Sequence, residues 1–411
     1  MHFSDRTSWN TEESDLARAY RRRIQAGLPI ADLTASNPTR CGFAYPPELL
    51  NALTDPRSLD YDPQPLGLLA ARQAVCGYYA AHKVKVSPQQ IVLTTSTSEA
   101  YSYLFRLLCD PGDDIVSLQP GYPLFDFLAV LDDVKLSTAP LVYDHGWQIE
   151  FESLERTITP RTRAIVVVHP NNPTGHFTKP WEKDRLAGLC RDRGLALIVD
   201  EVFLDYPQSA SDGTDERANE IAEPGENTAS FASGLEGVPV FIVSGLSKIA
   251  GLPQMKAAWI VATGPQCAPA MARLEVIADT FLSSNAPVQW ALPVWLRAAG
   301  SIQQQIRHRV HRNLALLDRE FDRAPGLNRL KVEGGWYAML RIPALEPGDT
   351  TALNLLERGV WVHPGHFFRM PQSGWLVVSL LGPETGFSTG VTTLIDYFQT
   401  HQESNNSGRR P

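Results

Sequence analysis

Residues 244–253 read SGLSKIAGLP, and they directly follow the apolar run VFIV. Lys248 therefore stands in a Ser/Gly turn at the end of a predicted strand, where sheets present groups to ligands. A single lysine is a weak indication of function, because most lysines in proteins are solvated. Its meaning depends on which other groups the fold brings to the same place.

Two further strand ends carry polar motifs of this kind. The motif HPNNPTG at 169–175 follows the apolar run AIVVV, and VDEVFLDY at 199–206 follows LALI. In a doubly wound sheet the carboxyl ends of the strands converge on one crevice. The pattern therefore predicts that Asn172, Asp200 and Lys248 share a site.

A fourth motif, TSTSE at 95–99, joins the apolar run 91–94 to a helical pattern over 99–108. The free N–H groups and the dipole at such a helix start can cradle a phosphate. An imine-forming lysine, an acid and a phosphate cup are what an aldehyde cofactor with a phosphate and a ring nitrogen requires.

The apolar runs also predict the fold class. They lie at 91–94, 115–119, 164–168, 195–199, 240–243 and 257–261. Continuous apolar strands separated by helix-length segments are typical of an α/β fold, with a buried, mostly parallel sheet between two layers of helices. The stretch 207–237 is rich in Ser, Gly, Asp and Glu, and we expect a surface excursion there.

The pattern of hydrophobic and charged residues changes after residue 295. A long charged helical pattern is followed by the strand-like segments WYAMLRI and WLVVSLL. We therefore predict a large domain over 41–295 and a smaller α+β domain formed by 1–40 and 296–411. The tail 402–411 is expected to be disordered.

Composition excludes several classes. The 411 residues are 43% hydrophobic, which is ordinary for a globular protein, and the net charge is −8. An acidic chain argues against a nucleic-acid or anionic-membrane partner. The five cysteines show no metal-ligand spacing, so we expect no metal and reduced thiols. With no apolar run of signal or membrane-spanning length, we expect a soluble cytoplasmic protein.

With these motifs in this order, the chain resembles the class I/II aminotransferases, pyridoxal-phosphate (PLP) enzymes of fold type I. The resemblance runs from about Asp32 to Leu381. It implies a large domain with a seven-strand-type mixed sheet. It also implies that Lys248 forms the Schiff base with PLP, that Asp200 pairs with the pyridine nitrogen, and that Asn172 bonds the 3-oxygen of the ring.

The same resemblance assigns further residues. Ser96, Thr97 and Ser98 match the phosphate cup, and Tyr122 matches the aromatic side chain that stacks on the ring. Tyr61 matches the tyrosine that reaches the partner subunit's phosphate, which implies a homodimer with shared active sites. The substrate-side loop LTASNPT has Ser36 where glycine is usual.

Each assignment has a plainer alternative. Asp200 would also suit a solvated strand end, and Asn172 would suit a turn before proline. The residues at 96–98 would also serve as a helix N-cap. Tyr122 would also suit core packing, and Tyr61 an ordinary loop.

Three departures from the family pattern lie close to the expected cofactor. Phe203 replaces a tyrosine that usually donates to the ring oxygen, which should raise the pKa of the imine. Lys256 replaces an arginine that grips the phosphate and loses its bidentate fork. Gly245 replaces a phosphate-binding serine, and Ser244 or Ser247 would have to compensate.

A fourth departure concerns the substrate. Val377 stands where an arginine usually holds the α-carboxylate, so another cation serves or the substrate carries no carboxylate there. Arg40 and Arg369 are the candidates, with a solvated arginine as the alternative for each. His363 and His366 lie three residues apart, and we expect them to pack in a core or loop and not to bind a metal as a pair.

The resulting prediction is an aminotransferase that uses PLP to move an amino group between an amino donor and an α-keto acid. The nearest alternative is another PLP reaction on this fold: a C–S or β-lyase, a decarboxylase, or a synthase-type elimination. A non-catalytic PLP-binding regulator is disfavoured, because Lys248 and Asp200 are retained and no DNA-binding module accompanies them. The substrate is left open. Aromatic residues that suit either a pocket or a core are Trp336, Tyr337, Phe367 and Phe368.

Overall fold

The structure is a computed structural model that describes residues 1–208, 228–344, 346–370 and 373–407. Its helices are α1 (Asp15–Gln25), α2 (Leu69–Ala81), α3 (Thr97–Leu108), α4 (Phe125–Leu131), α5 (Phe151–Thr157), α6 (Pro180–Arg193), α7 (Leu246–Ile249), α8 (Cys267–Phe281), α9 (Ala286–Phe321), α10 (Gly348–Glu357) and α11 (Glu384–Ser407). Its strands are β1 (Ala31–Asp32), β2 (Ile91–Thr94), β3 (Asp114–Gln119), β4 (Lys135–Tyr143), β5 (Trp147–Ile149), β6 (Thr162–Val168), β7 (Ala196–Asp200), β8 (Val240–Gly245), β9 (Ala258–Thr263), β10 (Asn328–Arg329), β11 (Tyr337–Arg341), β12 (Val360–Trp361), β13 (His363–Pro364) and β14 (Trp375–Ser379).

The large sheet has eight strands in the order β2-β9-β8-β7-β6-β3-β4-β5. Six strands run in one direction, and β9 and β5 run against them. The α/β class with a mostly parallel sheet is confirmed. The expected count of seven strands is wrong, because the short strand β5 folds back antiparallel on β4 and adds an eighth.

Helices cover both faces of this sheet, which explains the continuous apolar runs. Along β7, Leu197 and Val199 belong to one apolar cluster, which also contains residues of α2 and α9. The alternate residues Ala196 and Ile198 belong to another cluster, which contains residues of α3 and α8. Side chains of a strand alternate between faces, so a strand buried on both sides needs apolar residues at every position.

The remainder of the chain builds two small sheets. One is antiparallel, in the order β10-β11-β14-β13, and the other pairs β1 with β12 in parallel. The smaller α+β part is thus present. The division predicted at residues 295 and 296 falls inside α9, which continues through both parts, and the domain bounds stay a prediction.

Two expectations for polar segments need correction. Within 207–237, residues 209–227 lie outside the described residues, but Ser230, Phe231 and Ala232 are buried, because they pack around Glu201. Within the tail 402–411, α11 continues to Ser407, and 408–411 lie outside the described residues. Among the helices described, none combines the length and the apolar character that crossing a membrane requires.

Candidate active site

The polar motifs meet at one edge of the large sheet. The strands β6, β7 and β8 are parallel neighbours, and their carboxyl ends lead to Asn172, Asp200 and Lys248. The parallel strands β2 and β3 lead from the same edge to α3 and to Tyr122. The structure therefore brings these predicted residues to a common edge, as the strand-end argument requires.

Lys248 lies in the single turn α7 immediately after β8. Its Nζ lies 4.8 Å from the ring centre of Trp336 and 5.5 Å from that of Phe203. Burial lowers the pKa of this amine to about 8, although the charge of Asp200 acts in the opposite direction. Roughly a tenth of the amine is therefore unprotonated, and nucleophilic, at pH 7.

Asp200 ends β7 and is 7% exposed. Its Oδ1 accepts a hydrogen bond from the Val202 N–H at 3.0 Å, and its Oδ2 accepts one from Tyr101 Oη at 3.1 Å. Burial raises the pKa of Asp200 to about 6, and both hydrogen bonds oppose that rise. The solvated strand-end alternative is thus wrong for this residue, which is a buried carboxylate that is still mainly ionised at neutral pH.

Tyr101 did not emerge from the sequence motifs. It lies on α3, four residues after Thr97 and three after Ser98, and residues at that spacing share one face of a helix. That spacing was a usable signal, because a helix that starts at a ligand directs this face toward the same ligand or its neighbours.

Asn172 is 8% exposed, and its Oδ1 has no hydrogen-bond partner among the described residues. The turn is instead shaped by the preceding residue. Asn171 Oδ1 accepts hydrogen bonds from Thr174 N at 3.2 Å and from Thr174 Oγ1 at 2.8 Å. The turn therefore does not use the Asn172 side-chain oxygen.

At the start of α3 the side chain and the backbone have different roles. Ser96 Oγ accepts from Glu99 N at 3.1 Å, so its hydroxyl is the N-cap of the helix. Glu99 Oε2 in turn accepts from Thr95 N at 2.7 Å. The N–H groups of Thr97 and Ser98 have no partner in the described part of the chain, as the first residues of a helix generally do not.

These features provide a test of whether PLP fits. A buried carboxylate suits a protonated ring nitrogen, and the Asn172 side chain can donate to a ring oxygen from its Nδ2. The open N–H groups at the start of α3 suit a phosphate. An amine with a lowered pKa suits the aldehyde. The residues present fit each polar group of the cofactor.

Tyr122 and Tyr61 lie in different surroundings. Tyr122 is half-buried and packs edge-on against Phe125, with ring centres 5.7 Å apart. Burial raises its pKa to about 12, and the Asp200 charge adds to the rise. Tyr61 is 84% exposed and borders a groove of about 390 Å³ whose walls include Tyr103 and Trp290.

The packing accounts for the glycine at position 245. A Cβ there would lie 2.8 Å from the Ala258 Cβ and 2.9 Å from the Ala257 carbonyl oxygen, so a serine would not fit without a shift of β9. Ser244 does not compensate, because it is fully buried and its Oγ lies 3.4 Å from the Glu201 carbonyl oxygen. Lys256 is exposed just before β9, at the same sheet edge.

The residues predicted from the sequence for the substrate side lie outside the large sheet. Val377 is fully buried in an apolar cluster and pairs with Met339 across the sheet. Arg369 forms an ion pair with Asp126, with Nε 3.1 Å from Oδ2. Arg40 is exposed, and nothing in the described ranges pairs with its guanidinium.

Ser36 and the two histidines complete the predicted set. Ser36 is half-buried and hydrogen-bonds the Tyr337 hydroxyl, which opposes the rise in the Tyr337 pKa that burial causes. His363 packs against Phe368, and His366 lies 3.4 Å from Asp349. No group of three His, Cys, Asp or Glu side chains within the described ranges is arranged to hold a metal.

Comparisons with known proteins place this site in a family. The family model for aminotransferase class I and II matches residues 43–386. Nicotianamine aminotransferase 1 of Oryza sativa subsp. japonica is 28% identical over 291 residues, which are 67% of this chain and 56% of that protein's length. Alanine aminotransferase of Mycobacterium tuberculosis is 27% identical over 340 residues, which are 79% of this chain and 73% of that protein.

The solved structures agree on the fold. The alanine aminotransferase from Pyrococcus furiosus superposes with a TM-score of 0.85 at 20% identity, covering 97% of this chain and 100% of the other. That likeness extends over both parts of the chain, and the family match covers every strand of the large sheet. The chain belongs to the class I and II aminotransferases, a family of pyridoxal-phosphate-dependent transferases.

Proposed function

We propose that this aminotransferase moves an amino group between an amino acid and an α-keto acid, with Lys248 as the residue that binds the PLP aldehyde. The observation that carries the proposal is the placement of the half-buried Lys248, whose amine has a lowered pKa, and of the buried Asp200 carboxylate at the ends of the adjacent strands β8 and β7. Bound PLP supplies a ring that accepts electrons from the substrate's α-carbon.

Lys248 is the proton carrier in this proposal. Its Nζ would take the proton from the substrate's α-carbon and deliver it to the cofactor carbon that carries the aldehyde, which requires that part of the amine is neutral. Burial provides this by lowering its pKa to about 8. The rings of Trp336 and Phe203 beside Nζ exclude water from the proton path and limit the directions in which the amine can move.

The other groups bind and orient the cofactor. Asp200 supplies the negative charge for the ring nitrogen, and Asn172 supplies an amide for the ring oxygen. The N–H groups of Thr97 and Ser98 receive the phosphate, aided by the charge of Lys256. Tyr122 covers a face of the ring.

The substrate carboxylate needs a cation other than the usual arginine, since Val377 is an apolar core residue. Arg40 is the better candidate to bind the substrate carboxylate, because the charge of Arg369 is already neutralised by Asp126. Arg40 follows the loop that contains Ser36, and Ser36 bonds Tyr337 beside Phe203. Both arginines are kept as substrate-binding candidates, with Arg40 preferred.

The substrate itself is proposed only by class. The similar proteins are named for nicotianamine, alanine and tyrosine, which are amino acids of very different size. We therefore infer an α-amino acid donor whose side chain contacts the aromatic pair formed by Tyr337 and Phe368.

We further propose a homodimer in the cytoplasm. The exposed Tyr61 and the groove beside it favour a second copy of this chain that shares the active site across the interface. Five free cysteines favour a reducing compartment.

A spectroscopic titration tests the reaction. Purified holoprotein is mixed with single amino acids, without a keto acid, and its absorbance spectrum is followed. Conversion of the cofactor to its amine form by one donor, and its reversal by a keto acid, is the expected result. The Lys248→Ala variant should lose the absorbance band of the lysine-bound cofactor, and an unchanged band would show that another lysine binds it.

The buried Val377 also favours a second candidate, a PLP lyase or decarboxylase, because the orientation of the substrate decides which bond breaks. In that case product forms while the cofactor band stays constant and no keto acid is needed. That outcome would replace transamination.

A further inference from the structure

Tyr101 makes a hydrogen bond that the reaction, as described so far, does not use. Its hydroxyl donates to Asp200 Oδ2 at 3.1 Å across 99 residues of sequence, from α3 to the end of β7. Asp200 Oδ1 is held separately by the Val202 N–H at 3.0 Å. Each carboxylate oxygen thus has one protein donor, and these two bonds fix the plane of the carboxylate.

The tyrosine is itself firmly placed. It is 1% exposed, and the Phe125 ring meets it edge-on with ring centres 4.9 Å apart. Phe105 packs at 6.0 Å on the same helix. Burial raises the pKa of Tyr101 well above 10, so the hydroxyl keeps its proton and acts toward Asp200 only as a donor.

We propose that Tyr101 is a positioning residue that holds the Asp200 carboxylate ionised and aimed at the ring nitrogen of PLP. The inference rests on the proposed function, since it assigns Asp200 to that nitrogen. In this proposal the single helix α3 contributes to binding at two opposite ends of the cofactor. The N–H groups at the start of α3 receive the phosphate, and one turn later Tyr101 sets the acid for the opposite end of the ring.

The physical reason is the burial of Asp200. Desolvation raises its pKa to about 6, and the bonds from Val202 and Tyr101 hold it below a still higher value. Removing one donor moves the pKa closer to neutrality and raises the fraction of uncharged acid. The other titratable groups that face Asp200 are Lys248, Tyr122 and Tyr79.

The test uses Tyr101→Phe, which removes the hydroxyl and keeps the ring. Equilibrium dissociation constants of the apoprotein are measured for PLP and for its carbocyclic analogue, in which a C–H replaces the ring nitrogen. The ratio of the two constants cancels the phosphate and aldehyde contributions and isolates the interaction with the nitrogen. A hydrogen bond to a charged group predicts that the preference for PLP falls roughly ten- to hundredfold in the variant.

A matched control is available at a second tyrosine–carboxylate pair. Tyr78 Oη donates to Asp205 Oδ2 at 3.0 Å, so Tyr78→Phe removes the same kind of bond away from Asp200. This variant should keep the wild-type ratio. As the pH is lowered, protonation of Asp200 should weaken the preference for PLP. This weakening should begin at a higher pH in Tyr101→Phe than in the wild type.

An unchanged ratio in Tyr101→Phe, or equal weakening of both compounds, would overturn the inference and leave the proposed function in place. Absence of PLP binding by the unaltered protein would overturn both. If Tyr101→Phe does not fold, 3-fluorotyrosine at position 101 keeps the shape and is a stronger donor. It should raise the preference for PLP, and no change would again overturn the inference.

Discussion

Two neighbouring carboxyl groups, Asp200 at the end of β7 and Glu201 directly after it, have different surroundings. Asp200 is directed to Tyr101 at the active site. Glu201 is 1% exposed and accepts hydrogen bonds from Ser230 Oγ at 2.7 Å and from Phe231 N at 2.6 Å. Burial raises the pKa of Glu201 to about 7, against the effect of both bonds. Two adjacent carboxyl groups thus face the candidate active site and a buried turn of the backbone separately.

Glu201 should make the stability of the apoprotein depend on pH. Its ordinary pKa is near 4.5 and its folded pKa is about 7, so the folded state binds the proton more tightly. The contribution of Glu201 to the free energy of unfolding is therefore largest below pH 4.5, and it falls as the pH rises to 7. The loss is on the order of 3 kcal/mol. Glu201→Gln cannot ionise, so urea denaturation at pH 5 and pH 8 should show a smaller loss.

Glu182 is the matched control, because it is also buried but has the opposite shift. Burial raises its pKa, but hydrogen bonds from His176 and from the backbone of Lys179 and Ile149 outweigh that effect, and the net shift is downward. Its contribution is present above about pH 4.5 and is lost only as the pH falls below that value. Glu182→Gln should therefore lose as much stability between pH 5 and pH 8 as the wild type, because Glu182 is ionised in the folded and in the unfolded state at both pH values. A loss as small as that of Glu201→Gln would contradict the assignment.

Arg40 gives a prediction about the substrate. If its guanidinium holds the carboxylate, Arg40→Gln should raise KM for amino acid donors at least about tenfold, since a charge-assisted bond is lost. Arg369→Gln should have a smaller effect, because Arg369 is paired with Asp126. Steady-state kinetics with an amino acid and with the corresponding amine, which lacks the carboxylate, checks this. Equal effects on both substrates would exclude Arg40 from this role.

The sequence predicted the site residues that lie at the ends of strands. It missed the side-chain contacts between segments that are far apart in the sequence. Asn172, Asp200 and Lys248 could be predicted because each lies in a polar motif that begins at the end of an apolar run. The partnership of Tyr101 with Asp200 spans 99 residues, and that of Arg369 with Asp126 spans 243. Neither contact can be inferred from the local sequence pattern, because each depends on how whole helices and strands pack against one another.

Among the elements, α3 deserves a direct test, because its first N–H groups are assigned to the phosphate. Thr97→Pro removes one of them, and proline is well tolerated at the first position of a helix. Ser96 is extended, with φ −159° and ψ 161°, which suits the residue before a proline. We expect about tenfold weaker binding of PLP and of inorganic phosphate, measured by calorimetric titration, with little change in stability.

Thr97→Ala is the control for this experiment, since it removes the hydroxyl and keeps the N–H. It should bind phosphate nearly as well as the wild type. If the alanine variant is weakened as much as the proline variant, the hydroxyl and not the backbone binds the phosphate.

Element prediction succeeded where burial was two-sided. Six strands of the large sheet, β2, β3, β6, β7, β8 and β9, were visible as apolar runs, and their bounds in the structure differ from those runs by a few residues. The long strand β4 was missed, because only Ala139 and Leu141 of its nine residues are buried. The strand β5 was missed, because its three residues are too few to show a period. The helical end of α11 was missed, because residues 402–407 are polar and composition alone favours disorder there.

For the whole molecule, the exposed apolar residues around Tyr61 indicate where a second copy would bind. Leu50, Leu59 and Tyr61 are 56%, 90% and 84% exposed. Nearby, Arg57 stacks on the Trp290 ring at 3.7 Å, beside the groove. A folded monomer gains nothing from leaving such residues in water, whereas a dimer buries them.

Leu59→Glu should therefore weaken the proposed dimer. Burial of one leucine is worth about tenfold to a hundredfold in the dissociation constant, and the introduced charge adds to the loss. Sedimentation velocity over a concentration series measures the shift toward monomer. Leu28→Glu, at a residue 50% exposed after α1, should leave the dimer intact. A wild-type protein that is monomeric throughout would contradict the interface.

The long helix α9 has a consequence for how the molecule melts. Its 36 residues supply Leu292 and Trp295 to the apolar cluster of the large sheet, and Val310 and Leu317 to that of the smaller part. If either core comes apart, the other loses the helix against which it packs. The two parts should therefore lose their structure together, as one thermodynamic unit. Scanning calorimetry should record a single heat-absorption peak whose calorimetric and van't Hoff enthalpies agree, although the chain contains two sheets.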